Sequence, residues 1–319
     1  MMDSGKVIHK SVMLDRCLAL LSPAFANKES SIYLDATLGL GGHAESLLIK
    51  FPNLTLVGLD RDKDAIALAS ARLAQYKERI HIFHATYDKL SDVLDQLKIS
   101  EVDGILFDLG LSSLQIDDSA RGFSYSNPAE LDMRMDQSSG KNAADILANY
   151  SKEELEQVIR EFGEERFARR IATSIVKERS KGRISSTTQL AEIVKESIPA
   201  PARRVGGNPA KRTFQALRIE VNQELSILER AIPQALSRLR VGGRMVVMSF
   251  QSLEDRIVKR AFSEVCKSKS PINLPIELES HKAKFALLFN GSEKATAEEI
   301  SENSRAQSVR LRAIERVAA

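Results

Sequence analysis

The chain has 319 residues, of which 43% are hydrophobic and 28% charged, and this composition excludes a disordered protein. The net charge of +3 does not by itself indicate a nucleic-acid partner, but the charge is unevenly distributed. Between Arg166 and Arg218 there are 13 Lys and Arg against 3 Asp and Glu, a local charge of +10 that leaves −7 for the remainder. The length allows one large α/β domain and a second, smaller unit.

Cysteine usage and the amino-terminal residues exclude further classes of protein. Cys17 and Cys266 lie far apart without CxxC spacing, so we expect two core thiols, with neither a disulfide framework nor a metal site. The apolar stretch near the amino terminus is interrupted by Asp15 and Arg16 and is too short to span a bilayer. We therefore expect a cytoplasmic protein without a membrane segment.

The first part of the chain alternates apolar runs with helical patterns, which is typical of βαβ units that form a parallel sheet. The runs that predict strands are IYLDA (32–36), LTLVGLD (54–60), IHIFHA (80–85) and VDGILFDLG (102–110). Apolar residues at helical spacing predict helices over 42–50 and 63–76. Each of these helices would cross over between two neighbouring strands.

The middle of the chain has a different pattern. Residues 112–138 show neither period, which predicts a long loop of the kind that is functional or disordered. Residues 151–198 have only helical periodicity, which begins at a capping box of Ser151 and Glu154. From residue 213 the α/β pattern resumes. The predicted elements there are a helix over 213–240, a turn at VGG (241–243), a strand over 244–250, a helix over 253–266 and strands at 284–289 and 308–316.

These patterns predict two domains. Residues 1–138 and 213–319 would form an α/β core, and residues 139–212 an inserted unit that is helical and basic. Because the excess positive charge falls mostly on the insert, we expect the insert to contact a nucleic acid.

A glycine-rich turn and an acidic residue indicate an adenosine-type cofactor. The segment DATLGLGGH (35–43) follows the first strand, and Asp60 ends the second strand, 19 residues beyond Gly41. Such a turn lets a ligand approach the backbone, and such a carboxylate accepts hydrogen bonds from ribose hydroxyls. Nicotinamide enzymes use a similar loop, and Ala44 is compatible with their G-x-G-x-x-G/A pattern. The loop alone therefore does not choose between the two cofactors.

The end of the fourth predicted strand favours methyl transfer over hydride transfer. Asp108, Ser112 and Ser113 place a carboxylate and two hydroxyls at the carboxyl edge of the sheet, where ligands of such folds bind. Polar acceptors at that position suit an amine as the methyl acceptor.

Many segments, in order and over nearly the whole chain, resemble the MraW family. They are HKSVML (9–14), DATLGLGGH (35–43), GLDRD (58–62), DGILFDLGLSS (103–113), RGFS (121–124), LDMRMD (131–136), GEERFARRIA (163–172), RTFQALRIEVNQEL (212–225), GGRMVVMSFQSLEDRIVK (242–259) and NSRAQSVRLRAIER (303–316). This family methylates the exocyclic amine of a cytidine in the decoding region of small-subunit ribosomal RNA. The resemblance implies a Rossmann-like class I methyltransferase sheet with an inserted all-helical substrate-recognition domain, and S-adenosyl-L-methionine as cofactor.

The resemblance also implies site residues. The cofactor-binding residues would be Gly41, Gly42, His43, Asp60, Tyr87, Asp108 and Gln115. Tyr87 stands where relatives often have Phe, and its ring can lie against adenine. The candidate catalytic residues are Asp108, Ser112 and Ser113, which would accept the N–H hydrogens of the amine.

The expected RNA-binding residues lie in the long loop, in the basic region and near the end of the core. They are Phe123, Asp132, Arg134, Arg169, Arg170, Arg203, Arg204, Lys211, Arg212 and Gln251. Phe123, Tyr125 and Phe250 are aromatic residues on which a cytidine turned out of its stack would lie.

The chain departs from the family pattern near this expected RNA-binding region. Gln251 replaces a typical His, residues 208–212 (NPAKR) replace a His-Pro-Ala-Thr-Arg run, and Leu114 replaces a Pro. The glutamine excludes a mechanism that needs a histidine at position 251.

The expected partner is small-subunit ribosomal RNA, in an assembled or late-stage subunit, and a homodimer is one option for the oligomeric state. Three alternatives remain open: methylation of a protein or small-molecule amine, a nicotinamide oxidoreductase, and an RNA-binding module without activity. The basic region disfavours a small-molecule substrate, and the edge at Asp108 disfavours hydride transfer. An intact donor site disfavours the inactive module.

Overall fold

The computed structural model describes residues 11–203, 207–268, 270 and 281–319, except for the side chains of Ser113 and Asp117. Within these ranges the strands are β1 (Ser31–Asp35), β2 (Leu54–Asp60), β3 (Ile80–His84), β4 (Val102–Asp108), β5 (Leu239–Ser249), β6 (Phe285–Leu287) and β7 (Arg310–Arg316). The helices there are α1 (Leu14–Phe25), α2 (Gly42–Lys50), α3 (Lys63–Arg72), α4 (Leu90–Gln96), α5 (Ser113–Asp117), α6 (Ala143–Asn149), α7 (Lys152–Gly163), α8 (Ala168–Arg179), α9 (Thr187–Ser197), α10 (Ala200–Arg203), α11 (Lys211–Asn222), α12 (Glu224–Arg238), α13 (Ser252–Val265) and α14 (Ala297–Glu302).

Contacts divide the chain into two units. The sheet unit comprises Met1–Gly110 and Ser226–Ala319, and the helical unit comprises Leu111–Leu225. The helical unit is longer at both ends than the insert predicted over 139–212. The reason is packing, because Leu131 and Met133 from the predicted loop and Phe214 and Leu217 from beyond residue 212 are buried in the core of the helical unit.

The sheet unit is built on strands in the order β3-β2-β1-β4-β5-β7-β6. Strands β1 to β5 are parallel to one another, whereas β7 is antiparallel to both of its neighbours, β5 and β6. Every residue of β4 except Asp108 is buried, as expected for a strand covered on both faces. The predicted Rossmann-like sheet is confirmed.

Helices cover both faces of this sheet, and each face has its own apolar cluster. On one face α1 packs directly against β4, where a Cβ at Gly104 would lie 2.3 Å from the Phe25 ring. Only a glycine allows so close an approach of helix and strand. This packing fixes the strand whose far end carries Asp108.

The helical unit has a separate core formed by buried residues of α6, α7, α8, α9 and α11. The predicted capping box at the start of α7 is present: the Ser151 hydroxyl accepts from the Glu154 N–H, and the Glu154 carboxylate accepts from the Ser151 N–H. The helical unit therefore has a core of its own.

Several predicted element bounds are wrong. The helix expected over 213–240 is two helices, because Gln223 adopts a left-handed conformation (φ 51°) and ends α11. An ion pair between Arg218 and Glu224 at 2.8 Å joins the two sides of this break. Residues 241–243, expected as a turn, lie inside β5, and a short helix, α5, occupies part of the predicted loop. The helix predicted to reach residue 76 ends at Arg72.

In the described part of the chain, no helix is long and apolar enough to cross a membrane. Cys17 is buried, as predicted, whereas Cys266 is only half-buried. Residues 11–203, 207–268, 270 and 281–319 contain no group of acidic, His and Cys side chains that could hold a metal ion.

Candidate functional site

The sheet unit carries an acidic edge at the carboxyl ends of three neighbouring strands. Asp60 ends β2, Asp35 ends β1 and Asp108 ends β4, and these strands lie side by side in the order β2-β1-β4. Because the strands are parallel, the three carboxyl groups share one edge of the sheet. Ligands of open α/β sheets bind at this edge.

The glycine-rich turn between β1 and α2 is bound to the end of β2. Gly39 (φ 51°) and Gly41 (φ 75°) have left-handed conformations that favour glycine. The Gly39 N–H donates to Asp60 Oδ2 at 2.7 Å, and the Asp62 N–H donates to Asp60 Oδ1 at 2.8 Å. The turn and the acid that the sequence singled out separately are therefore one hydrogen-bonded structure.

Asp35 and Asp108 are held in a setting that disfavours their charge. Burial raises the pKa of Asp35 to about 7, although the Tyr33 hydroxyl and the Thr37 N–H donate to its carboxylate. Burial, together with the negative charges of Asp35 and Glu254, raises the pKa of Asp108 to about 8. Desolvation and like charges act in the same direction on an acid.

The Asp108 carboxylate has no hydrogen-bond or ion-pair partner among the residues that the structure describes, although its main-chain N–H donates to Thr37 Oγ1 at 2.7 Å. An acid of this kind favours the binding of a positively charged or hydrogen-bond-donating ligand, because the ligand would offset the cost of ionisation. This edge of the sheet therefore fits a ligand group that is positively charged or that donates an N–H hydrogen bond.

His43 and Gly42 contact the amino-terminal segment of the sheet unit. The His43 ring is buried, its Nε2 lies 3.1 Å from the Val12 carbonyl oxygen, and burial lowers its pKa to about 4. A Cβ at Gly42 would lie 2.2 Å from Ser11 Oγ. The His43 ring is thus neutral at pH 7 and occupied at Nε2, which leaves its main chain as the simpler contact for a cofactor.

Tyr87 follows β3 and is half-buried. Its ring makes an edge-on contact with Phe107 of β4, with 5.6 Å between ring centroids. The contact fixes an aromatic ring beside the strand that ends in Asp108.

Gln251 stands at the start of α13, directly after β5. Its Nε2 donates to Glu254 Oε1 at 3.1 Å, and Glu254 Oε2 accepts from the N–H groups of Phe250 and Gln251. Gln251 Oε1 is buried and has no partner among the described residues. Phe250 packs near Gly110, where an added Cβ would lie 3.4 Å from the ring.

Ser112, Ser113 and Gln115 belong to the helical unit. Ser112 caps α5: its Oγ accepts from the Gln115 N–H at 3.3 Å, and Gln115 Oε1 accepts from the Ser112 N–H at 3.1 Å. Gln115 is buried, with 4% of its surface exposed. Ser113 is the first residue of α5, and its side chain lies outside the described part of the structure.

The predicted loop residues Asp132 and Arg134 form a forked ion pair. Arg134 Nε lies 2.8 Å from Asp132 Oδ1 and Nη2 lies 2.7 Å from Oδ2. Although burial acts to raise the pKa of Asp132, the bonds from Arg134 hold that pKa below its usual value. Phe123 and Tyr125 are half-buried against the core of the helical unit, and Tyr125 contacts Phe214 edge-on.

The basic residues predicted to bind RNA differ in their surroundings. Arg169, Arg170 and Lys211 are exposed on α8 and α11. Arg212 is exposed but donates to the Glu164 carbonyl oxygen at 2.9 Å. Arg203 donates to the carbonyl oxygens of Ile198 and Glu196 and so caps the end of α9. Arg204 lies outside the described residues.

Two acids of this region have no individual role in the sequence analysis: Asp35 of the acidic edge, and Glu254 of α13, whose charge acts on Asp108. Asp35 was quoted only as part of the glycine-rich turn, although it ends a strand as Asp60 and Asp108 do, and that position was the available signal. Glu254 was not singled out, because a carboxylate in the first turn of a helix is an ordinary cap.

Comparisons with known proteins agree with these features. The family described as the MraW methylase family matches residues 6–317. The chain is 56% identical over 314 residues to the ribosomal RNA small subunit methyltransferase H of Saccharopolyspora erythraea, covering 98% of this chain and 95% of that protein. It is 56% identical over 312 residues to the protein of the same name from Salinispora tropica, covering 97% of this chain and 84% of that protein. For the Renibacterium salmoninarum protein of that name the identity is 51% over 313 residues, covering 97% and 95%.

Proposed function

Because the chain belongs to the MraW methylase family, we propose that it transfers a methyl group from S-adenosyl-L-methionine to a cytidine of small-subunit ribosomal RNA. The accepting atom is the exocyclic N4 amine of a cytidine in the decoding region. The observation that carries the proposal is the acidic edge, where the buried Asp35 and the half-buried Asp108 have raised pKa values and Asp60 binds the glycine-rich turn. The relatives from Saccharopolyspora erythraea and Salinispora tropica are named as methyltransferases of small-subunit ribosomal RNA.

The residues of the sheet unit fit S-adenosyl-L-methionine. When bound, this cofactor supplies an electrophilic methyl group on a positively charged sulfur. We assign Asp60 to the ribose hydroxyls, the main chain of Gly41, Gly42 and His43 to close contact along the turn, and Tyr87 to the adenine ring. Gln115 keeps its assignment as a cofactor contact.

Asp108 is assigned to the amine. The cytosine N4 nitrogen is conjugated with the ring and is a poor nucleophile, so an acceptor for its N–H hydrogen localises the lone pair. As the N–C bond forms and the methyl–sulfur bond breaks, S-adenosylhomocysteine is the leaving group, and the ionised Asp108 carboxylate would accept the proton that the nitrogen loses. Ser112 and Ser113 are assigned as further acceptors for the N–H hydrogens of the amine. Most of the rate gain comes from holding the nitrogen in line with the methyl group.

The helical unit is assigned to the RNA. Arg169, Arg170, Lys211 and Arg212 bind phosphates, and Arg203 and Arg204 keep their assignment as RNA-binding residues. Phe123 stacks on a base turned out of its helix. Asp132, Arg134 and Gln251 contact the nucleotide.

The test is methyl transfer from labelled S-adenosyl-L-methionine to small ribosomal subunits that lack the modification, followed by analysis of the nucleosides. We expect the label in N4-methylcytidine. Label on protein alone, or on a ring carbon of cytosine, would contradict the proposal.

Protein-free ribosomal RNA is compared with assembled subunits in the same assay, and we expect the assembled or late-stage subunit to be the better substrate. Sedimentation of the pure protein tests the homodimer.

A further inference from the structure

Three segments that the proposed chemistry leaves without a complete role meet in the helical unit. They are RGFS (121–124), LDMRMD (131–136) and the end of RTFQALRIEVNQEL (212–225). The side chains of Arg121 and Asn222, one from the first segment and one from the third, bind the main chain of the second. We call these two side chains and their main-chain partners at 133–135 the clamp.

Asn222 binds the segment as a neighbouring β-strand would. Its Nδ2 donates to the Met133 carbonyl oxygen at 2.7 Å, and its Oδ1 accepts from the Met135 N–H at 2.8 Å. Asn222 is 1% exposed, so both bonds lie away from water. It is the last residue of α11, and the turn at Gln223 follows directly. The break that divides the predicted long helix therefore comes directly after the residue that binds the segment.

Arg121 holds the adjacent carbonyl groups. Its Nη2 donates to the carbonyl oxygens of Arg134 at 3.2 Å and Met135 at 2.7 Å, and the side chain is buried. Next to it, Gly122 (φ 74°) lies so close to the segment that a Cβ would stand 2.2 Å from the Glu130 carbonyl oxygen. A buried guanidinium that donates to two successive main-chain oxygens indicates a role in fixing backbone shape.

The clamp holds the segment in an unusual shape. Met133 has a left-handed conformation (φ 61°), which side chains other than glycine rarely adopt. Leu131, Met133 and Met135 are buried, whereas Asp132 and Arg134 are only partly covered and form their forked ion pair on the other side. Asp132 also lines an open surface pocket together with Asn142 and Arg183. A left-handed residue over-determined by its surroundings is typical of functional segments.

We propose that Asn222 is a positioning residue for the RNA substrate, which acts through Arg134 by holding the Asp132–Arg134 pair in the conformation that receives a nucleotide. This inference rests on the proposed function and adds to it a residue that does not touch the substrate. The pair is fixed before the RNA arrives, so little conformational entropy is lost on binding.

The test is Asn222→Asp, which keeps the acceptor for the Met135 N–H but sets a carboxylate oxygen against the carbonyl oxygens of Met133 and Arg218. We expect kcat/KM for the RNA substrate to fall roughly 10- to 100-fold, mainly through KM. The dissociation constant for S-adenosylhomocysteine should change by less than about twofold, since Asn222 lies in the helical unit.

The matched control is Tyr150→Phe, which removes a 2.6 Å hydrogen bond to Glu220 of the same helix α11 without touching residues 131–136. KM for the RNA substrate is measured for each variant at a temperature that lies the same number of degrees below the melting temperature of that variant. If Tyr150→Phe raises KM as much as Asn222→Asp does, the role of Asn222 is structural only and the proposal is overturned.

A double-mutant cycle with Arg134→Ala decides whether Asn222 acts through the pair. If it does, Asn222→Asp adds less than about twofold to the loss caused by Arg134→Ala, because coupled residues are not additive. Additive losses overturn the inference. Should Asn222→Asp not fold, Arg121→Lys replaces it in the same cycle. A wild-type protein that methylates no RNA contradicts the proposed function instead, so the two failures are distinguishable.

Discussion

Asp108 is a half-buried acid whose negative charge is disfavoured by desolvation and by the nearby acids Asp35 and Glu254, and this setting affects stability as well as chemistry. Its pKa is raised to about 8 in the folded protein, against about 3.9 for an unfolded chain. Unfolded Asp108 therefore binds fewer protons than folded Asp108 between these values, so the contribution of this residue to stability falls as the pH rises from about 4 to about 8. Without a ligand, Asp108 is largely protonated at pH 7.

We predict that Asp108→Asn changes the pH dependence of unfolding. The amide cannot ionise, so the melting temperature of the variant should rise relative to wild type as the pH is raised from 5 to about 9. Thermal unfolding over this range is the measurement. A constant difference between the two proteins would show that Asp108 does not titrate there. Turnover should fall by roughly 10²-fold or more if the carboxylate accepts the proton.

A second residue-scale prediction concerns cofactor charge. The sulfonium of S-adenosyl-L-methionine favours ionised Asp35 and Asp108, so its binding at pH 7 should release protons. S-Adenosylhomocysteine lacks this charge and should release fewer. Calorimetric titration in two buffers of different ionisation enthalpy measures the difference. Equal proton release by both compounds would contradict the assignment of the acidic edge to the sulfonium.

At the scale of elements, helices α8 and α11 carry exposed cations that we assign to the RNA phosphates. We predict that replacing Arg169, Arg170 and Lys211 by Ala weakens binding to RNA of any sequence. The steepness with which the logarithm of the association constant falls against the logarithm of the salt concentration should decrease by about 2. Arg203 is left intact, because it caps α9 and its loss would destabilise the fold. The control replaces three exposed lysines of the sheet unit: Lys98, Lys259 and Lys267. An unchanged slope in the α8 and α11 variant would reject the phosphate contacts.

The elements also show what a sequence can and cannot predict. Strands β1, β2 and β4 were found within a residue or two, because buried parallel strands are continuous apolar runs between turns. The break at Gln223 was missed, since apolar spacing continues through it and a left-handed glutamine has no sequence signature. Pairs such as Gly39 with Asp60 were predicted as neighbours of one ligand, whereas their direct bond depends on how two loops pack.

The helical unit of the whole molecule has its own buried core, and this has an experimental consequence. We predict that residues 111–225 expressed alone fold with a cooperative thermal transition and bind RNA in a salt-dependent manner. They should not bind S-adenosylhomocysteine, because the acidic edge belongs to the other unit. Far-ultraviolet circular dichroism and binding titrations check these outcomes. A fragment without a transition would show that the helical core needs the rest of the chain.

The position of the helical unit between β4 and β5 also affects how the protein is made. These strands are neighbours in the sheet, yet the ribosome synthesises the whole helical unit between them. During that interval β4 is an edge strand, because Ile105, Leu106 and Phe107 lack the main-chain hydrogen bonds that β5 later makes with them. Pairing of two strands that are far apart in sequence is slow, and an exposed apolar edge strand promotes aggregation. Nascent chains halted before β5 should therefore depend on chaperones far more than the finished enzyme does.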